Sequence, residues 1–223
     1  MLAKLSIGQL CGFLFLFILL TSALSQVFAG AALDPADIPG TLGNVAANGK
    51  KFRLSVVIDL ISHGSIIALA ALLFIAFSPY NRSLALIGTL WRVAEGTILA
   101  LNEGNKLVLL DLSQKSASAT GAQAIALESM GRMLISMEQW GFKIGLAFLV
   151  LGSLMYAILF VTSGAVPLAL SWFGVIASLL AAAGIFLNLI NPNLSMASFL
   201  ILIPYEVVLG FWLLFRGGQI GMP

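Results

Sequence analysis

Ser55, Asp59 and His63 recur at spacings of four, with Ser62 beside them, and spacings of four place side chains on one face of a helix. A second set, Arg92, Glu95, Asn102, Glu103 and Lys106, falls with Leu99 within about 100° of arc on another helix. Arg92 with Glu95, and Glu103 with Lys106, are three apart and can pair along it. Glu206 stands alone, just after Pro204 and Tyr205. Carboxylates, an imidazole and a guanidinium in such an arrangement can hold a small ligand, pass a proton or lock helices by ion pairing. They lack the company that catalysis or metal binding needs. The chain shows no phosphate loop, nucleophile elbow, zinc-protease pattern or haem pair of histidines, and His63 is the single histidine. The sequence therefore predicts no catalytic residue, no metal ligand set and no cofactor. Asp59, His63, Arg92, Glu95, Asn102, Glu103 and Glu206 are the candidate polar cluster.

The elements that must carry these side chains are apolar. Of 223 residues, 60% are hydrophobic and 9% charged, against about 25% charged in a soluble domain. A hydrocarbon core of about 30 Å needs about 20 mostly apolar residues per helix. Runs of that kind cover residues 5–32, 52–77, 83–112, 141–161, 166–190 and 196–215. The expected fold is all-α, a polytopic membrane helix bundle of about six spans in a single transmembrane domain, 1–223. Residues 33–50, rich in proline, glycine and asparagine, read as a loop, and so does 113–140. Within the latter, Ala126, Met130, Met133, Met137 and Trp140 recur every three or four residues. That pattern predicts an amphipathic helix, lying at the membrane surface or extending the fourth span, with the methionine stripe serving packing rather than a binding groove.

The first run imitates a secretory signal, with Lys4 ahead of it and Ala29-Gly30-Ala31 behind, but is long enough to span and reads as a retained helix. Cys11 reads as a small apolar helix residue. Gly141 with Gly145, Gly174 with Ser178, and Ala177 with Ala181 are four apart, the spacing of close helix contacts in membranes. Orientation signals oppose each other. Lys4 favours an inside N-terminus, while Lys50, Lys51, Arg53, Lys115 and Arg132 concentrate positive charge in the longer loops. The net charge of +2 is too thinly spread for nucleic acid. The expected partners are membrane lipids and other membrane protein subunits that meet the small-residue faces, in the cell (cytoplasmic) membrane.

The charges must be accommodated. Each costs about 2.5 to 3.5 kcal/mol at the centre of a spanning helix, so Asp59, Arg92, Glu95, Glu103 and Glu206 must face the bundle interior or a wet cavity, and pair. Lys106 and Arg53 are expected to reach the interface by snorkelling. The second and third spans are joined by the turn Ser78-Pro79-Tyr80-Asn81 and so run antiparallel. Counting back from it at about 1.5 Å per residue sets Asp59 level with Asn102 and His63 level with Glu95 to Ile98.

With these residues in view, the chain resembles the membrane family catalogued as domain of unknown function 4386. One matching stretch is Asn81-Arg82-Ser83-Leu84-Ala85-Leu86, leading into Trp91-Arg92-Val93-Ala94-Glu95. Another runs from Gly141-Phe142-Lys143-Ile144-Gly145-Leu146 to Ser163-Gly164-Ala165-Val166-Pro167. The third is Pro204-Tyr205-Glu206, then Trp212-Leu213-Leu214 and Gly217. The chain departs at Leu168, where members often carry a base after the proline. The resemblance implies six spans and no assigned activity.

Overall fold

The computed structural model describes residues 5–29 and 33–220; Lys4 and the Gly30-Ala31 end of the signal-like segment lie outside them. Every regular element in the described residues is helical: α1 (Ile7–Ala29), α2 (Ile38–Ala47), α3 (Gly49–Phe77), α4 (Arg82–Ser116), α5 (Ala122–Ser163), α6 (Leu168–Ile190) and α7 (Leu202–Arg216). A 3-10 segment, Ala197–Ile201, leads into α7. Six stretches are long and apolar enough to cross a membrane: α1, α3, α4, α5, α6 and Ala197–Arg216. The all-α, six-span reading of the sequence holds.

Two stretches read as loops are largely helical. Residues 38–47 form α2 because Pro39 and Gly40 start a helix there instead of breaking one. Asp37 is its N-cap, its Oδ1 accepting from the Gly40 N–H at 2.9 Å, and a proline in the first turn has no amide bond to lose. Residues 113–140 are helical apart from the turn between α4 and α5. The amphipathic segment is no separate surface helix but the first half of α5, which has 42 residues and a length of about 63 Å, twice the hydrocarbon core. Nothing between Ala122 and Gly141 interrupts the helix.

The packing divides the chain into two compact units. Among the described residues, the first comprises 5–19, 64–97 and 143–220. Its core is built from Leu69, Leu73 and Phe77 of α3, Ala85 of α4, Val150, Leu159 and Phe160 of α5, Ala177 and Ile185 of α6, and Leu209 and Leu213 of α7. Phe77 meets Phe160 edge-on with ring centroids 5.0 Å apart, a favoured geometry for such rings. Gly12 lets α1 approach the α7 backbone so closely that a β-carbon there would collide with the Leu214 amide. Gly164, at φ 65°, turns the chain between α5 and α6 in a conformation glycine adopts without strain.

The second unit comprises residues 20–63 and 98–142. Its core joins Ile38 and Leu42 of α2, Leu109 and Leu112 of α4, and Leu134 and Ile135 of α5. A β-carbon on Gly131 would lie 3.2 Å from Leu42, so α5 buries its Gly131, Leu134 and Ile135 face. The methionine stripe expected to serve packing is not part of this core: Met130, Met133, Met137 and Trp140 are exposed. Both faces of this segment are apolar, and the one with small Gly131 fits closer to α2.

Candidate functional site

The polar residues fall into two groups, one in each unit. In the second unit α3 and α4 form a ladder of opposite charges. Arg53 Nη2 lies 3.7 Å from Asp111 Oδ1, with both side chains exposed. Further along, Lys106 Nζ donates to Asp59 Oδ2 at 3.0 Å and to Glu103 Oε1 at 2.9 Å. His63 Nε2 stands 3.5 Å from the same Glu103 oxygen. Asp59, Glu103 and Lys106 are all buried. Lys106 therefore does not snorkel as expected; two carboxylates hold its ammonium inside, and charge-assisted bonds of this kind are the strong ones.

The register also departs from the expected levels. Asp59 meets Lys106 where Asn102 was expected, and His63 meets Glu103 instead of the Glu95 to Ile98 level. Helical side chains lean toward the N-terminus of their own helix. On α3 that lean points away from the connecting turn, and on antiparallel α4 it points toward it. Facing side chains therefore come from Cα positions about one turn further along α4 than counting backbone rise suggests. Asn102 bonds elsewhere. Its Nδ2 donates to the Glu138 carbonyl on α5 at 2.9 Å, and its Oδ1 accepts from Asn105. The Glu138 side chain lies within the electrostatic reach of Lys106, Glu103 and Asp59. Arg53, Lys106, Asp111 and Glu138 are members of this group that the candidate cluster omitted.

The first unit holds the other group. Arg92 Nη1 lies 2.9 Å from Glu95 Oε2, one turn along the same helix. Both residues are buried, yet neither of these atoms makes an aligned hydrogen bond among the described residues. Glu206 of α7 comes close enough for the Arg92 charge to act on it. Arg92, Glu206, Tyr205, Tyr156 and Ser153 share the wall of one small cavity, about 10 Å³, which is room to centre about one water molecule. Neither Glu95 nor His63 lines it.

Glycines make the room. A β-carbon on Gly152 would stand 2.8 Å from the Arg92 side chain, and one on Gly174 would run into the Tyr205 ring. Pro204 sits in the first turn of α7, directly after the 3-10 segment, where its missing amide hydrogen costs least. Of the walls, Tyr156 is fully engaged. Its hydroxyl lies 2.6 Å from Thr89 Oγ1 and donates to the Ala70 carbonyl at 3.3 Å. The Tyr205 hydroxyl is buried without a hydrogen-bond partner among the described residues. Ser153, Tyr156 and Tyr205 are wall residues absent from the candidate cluster. Tyr205 had a signal, being adjacent to Glu206; the other two are spaced by an α5 register that no motif marks.

Among the described residues, six spans, an all-helical fold and charged side chains buried between helices define a multi-pass membrane protein. The chain matches the family model described as Domain of unknown function (DUF4386) over residues 10–217. It belongs to that family, as the Arg92–Glu95 and Tyr205-Glu206 stretches suggested. No curated protein and no solved structure matches it.

Proposed function

We propose that the Arg92–Glu206 site of this membrane protein binds and passes protons, with the cell (cytoplasmic) membrane as its place of action. The carrying observation is the cavity sized for one water, with Arg92, Glu206, Tyr156 and Tyr205 in its wall. As it stands, that space has room for a water or a proton and fits no larger solute without side-chain movement. Charge balance supports the same reading. One guanidinium faces two carboxylates, Glu95 and Glu206, and an uncompensated charge in a low-dielectric interior is costly. A proton held by one of the two acids removes the imbalance. Tyr156 and Tyr205 are the other titratable groups at the cavity.

The test is proton movement into liposomes carrying the purified chain and a pH-sensitive dye. The wild type moves protons, and Glu206→Gln and Arg92→Ala lose that movement. Equal movement in wild type and Glu206→Gln sinks the proposal. An infrared carboxylic-acid band at pH 7 that disappears in Glu206→Gln gives a second readout.

A specific observation favours a structural reading for the other group. Lys106 bonds carboxylates on two helices, 47 residues apart and three apart in sequence. We assign Asp59, Lys106 and Glu103 to fixing the packing of α3 on α4. An accessory role beside other membrane subunits is compatible with that assignment.

A further inference from the structure

We infer that the start of α3 is a binding site for the headgroup of an anionic phospholipid, independent of the proton site. A surface cavity of about 440 Å³ opens where α2 meets α3, lined by Lys50, Lys51, Arg53, Asn48 and Gln114. Its lining carries three cations and no acid; the neighbouring Asp111 engages Arg53 from outside it, at 3.7 Å. Lysine and arginine in such a basket, with amide side chains beside them, match a phosphate oxyanion.

Free phosphate and a phospholipid headgroup share that chemistry, and α3 selects the lipid. Lys50, Leu54, Val57 and Ile61 follow at spacings of four, three and four, so they form one stripe. Leu54, Val57 and Ile61 are exposed, at 44%, 51% and 51%. From Lys50 to Ile61 the stripe rises about 17 Å, close to one leaflet's half of a hydrocarbon core of about 30 Å. A basic basket at one end and a leaflet-long apolar stripe below it have the polarity of a phospholipid. Basic pockets at membrane helix ends are known to hold anionic headgroups.

Native mass spectrometry of the whole detergent-solubilised chain tests this with added phosphatidylglycerol, phosphatidylcholine or inorganic phosphate. Phosphatidylglycerol is expected to stay bound at least about fivefold more than phosphatidylcholine. Lys50→Gln/Lys51→Gln lowers its retention about fivefold per lysine, at roughly 1 kcal/mol for each. Both lysines are exposed, so the helical content by circular dichroism stays that of wild type. Arg82→Gln/Arg216→Gln, which removes the same charge from exposed positions elsewhere, leaves retention unchanged. Equal retention of the two lipids overturns the site, as does an equal loss in that control pair. Displacement of phosphatidylglycerol by equimolar inorganic phosphate overturns the lipid as the occupant.

Discussion

Two sets of buried ion pairs in this chain have nearly the same distances and opposite mechanical meaning. Lys106 reaches Asp59 on another helix and Glu103 on its own, at 3.0 and 2.9 Å with aligned hydrogen bonds. Arg92 reaches Glu95 at 2.9 Å, one turn along α4, without an aligned bond. A bond between helices fixes their packing; a bond within one helix leaves that packing to other contacts. The first arrangement is a clamp. The second is a charged wall held beside a cavity, with Glu206 of another helix sharing that wall. Buried charge thus says little by itself about function. What matters is which elements it joins and whether a space is left beside it.

Lys106→Met should separate clamp from wall with the greatest loss of stability. It leaves Asp59 and Glu103 buried without their cation, and breaking a buried pair from one side costs about 3 to 5 kcal/mol. Chemical or thermal unfolding in detergent should register that loss. Replacing the set together, as Asp59→Asn/Glu103→Gln/Lys106→Met, should recover most of it, because no lone charge remains. If the single change costs nothing, Lys106 is no clamp and the contrast with Arg92 disappears.

Next in size is Gly152→Ala. The added methyl would stand 2.8 Å from Arg92, and overpacking of this kind costs about 1 to 3 kcal/mol. Because the guanidinium must move, proton flux should change with it. A stable variant with wild-type flux would show that Arg92 has slack, and that its position at the cavity is not set by α5.

The elements were largely legible from the sequence because apolar length alone decides a membrane span. The ends of α3 at Phe77 and of α6 at Ile190 match the ends of the apolar runs, and the chain turns at Ser78-Pro79. Residues 33–50 misled because Pro39 and Gly40 are breakers in a helix interior and good openers after an Asp cap. The methionine stripe misled because α5 has two apolar faces, and the choice between them rests on close contact at Gly131. The seven candidate residues each lie in one or other polar group, because a charge inside an apolar run marks itself. Their pairing was not legible. Side-chain lean shifts the α3–α4 register by a turn, and Lys106 is long enough that its spacing alone fits an escape to the interface as well as a buried pair. The division of the residues into a clamp and a wall is a property of three-dimensional neighbours, so no spacing rule carries it.

A smaller effect tests the exposed rung of the ladder. Arg53 and Asp111 are 3.7 Å apart with side chains 60% and 67% exposed, and such pairs couple by about 0.2 to 1 kcal/mol. A double-mutant cycle with Arg53→Gln and Asp111→Asn should give a value in that range, falling further in high salt. Coupling as large as that of the Asp59–Lys106 pair would mean that exposure does not separate the rungs.

At Tyr205 the stability should barely move, and there the two groups part most directly. The Tyr205 hydroxyl is buried, with no hydrogen-bond partner among the described residues. An unpaired buried polar group costs about 1 to 3 kcal/mol, so Tyr205→Phe removes a cost together with the oxygen. Its ring remains packed edge-on against Phe173, with centroids 5.7 Å apart. Unfolding in detergent should therefore show a stability equal to wild type or slightly higher. Proton movement should fall, because the variant removes a hydroxyl within electrostatic reach of Glu206. In the clamp the corresponding deletions all cost stability. If Tyr205→Phe instead destabilises the chain by more than about 1 kcal/mol, the hydroxyl is bound to a structural water. The Arg92–Glu206 wall would then be a second clamp, built through water where the first is built through lysine.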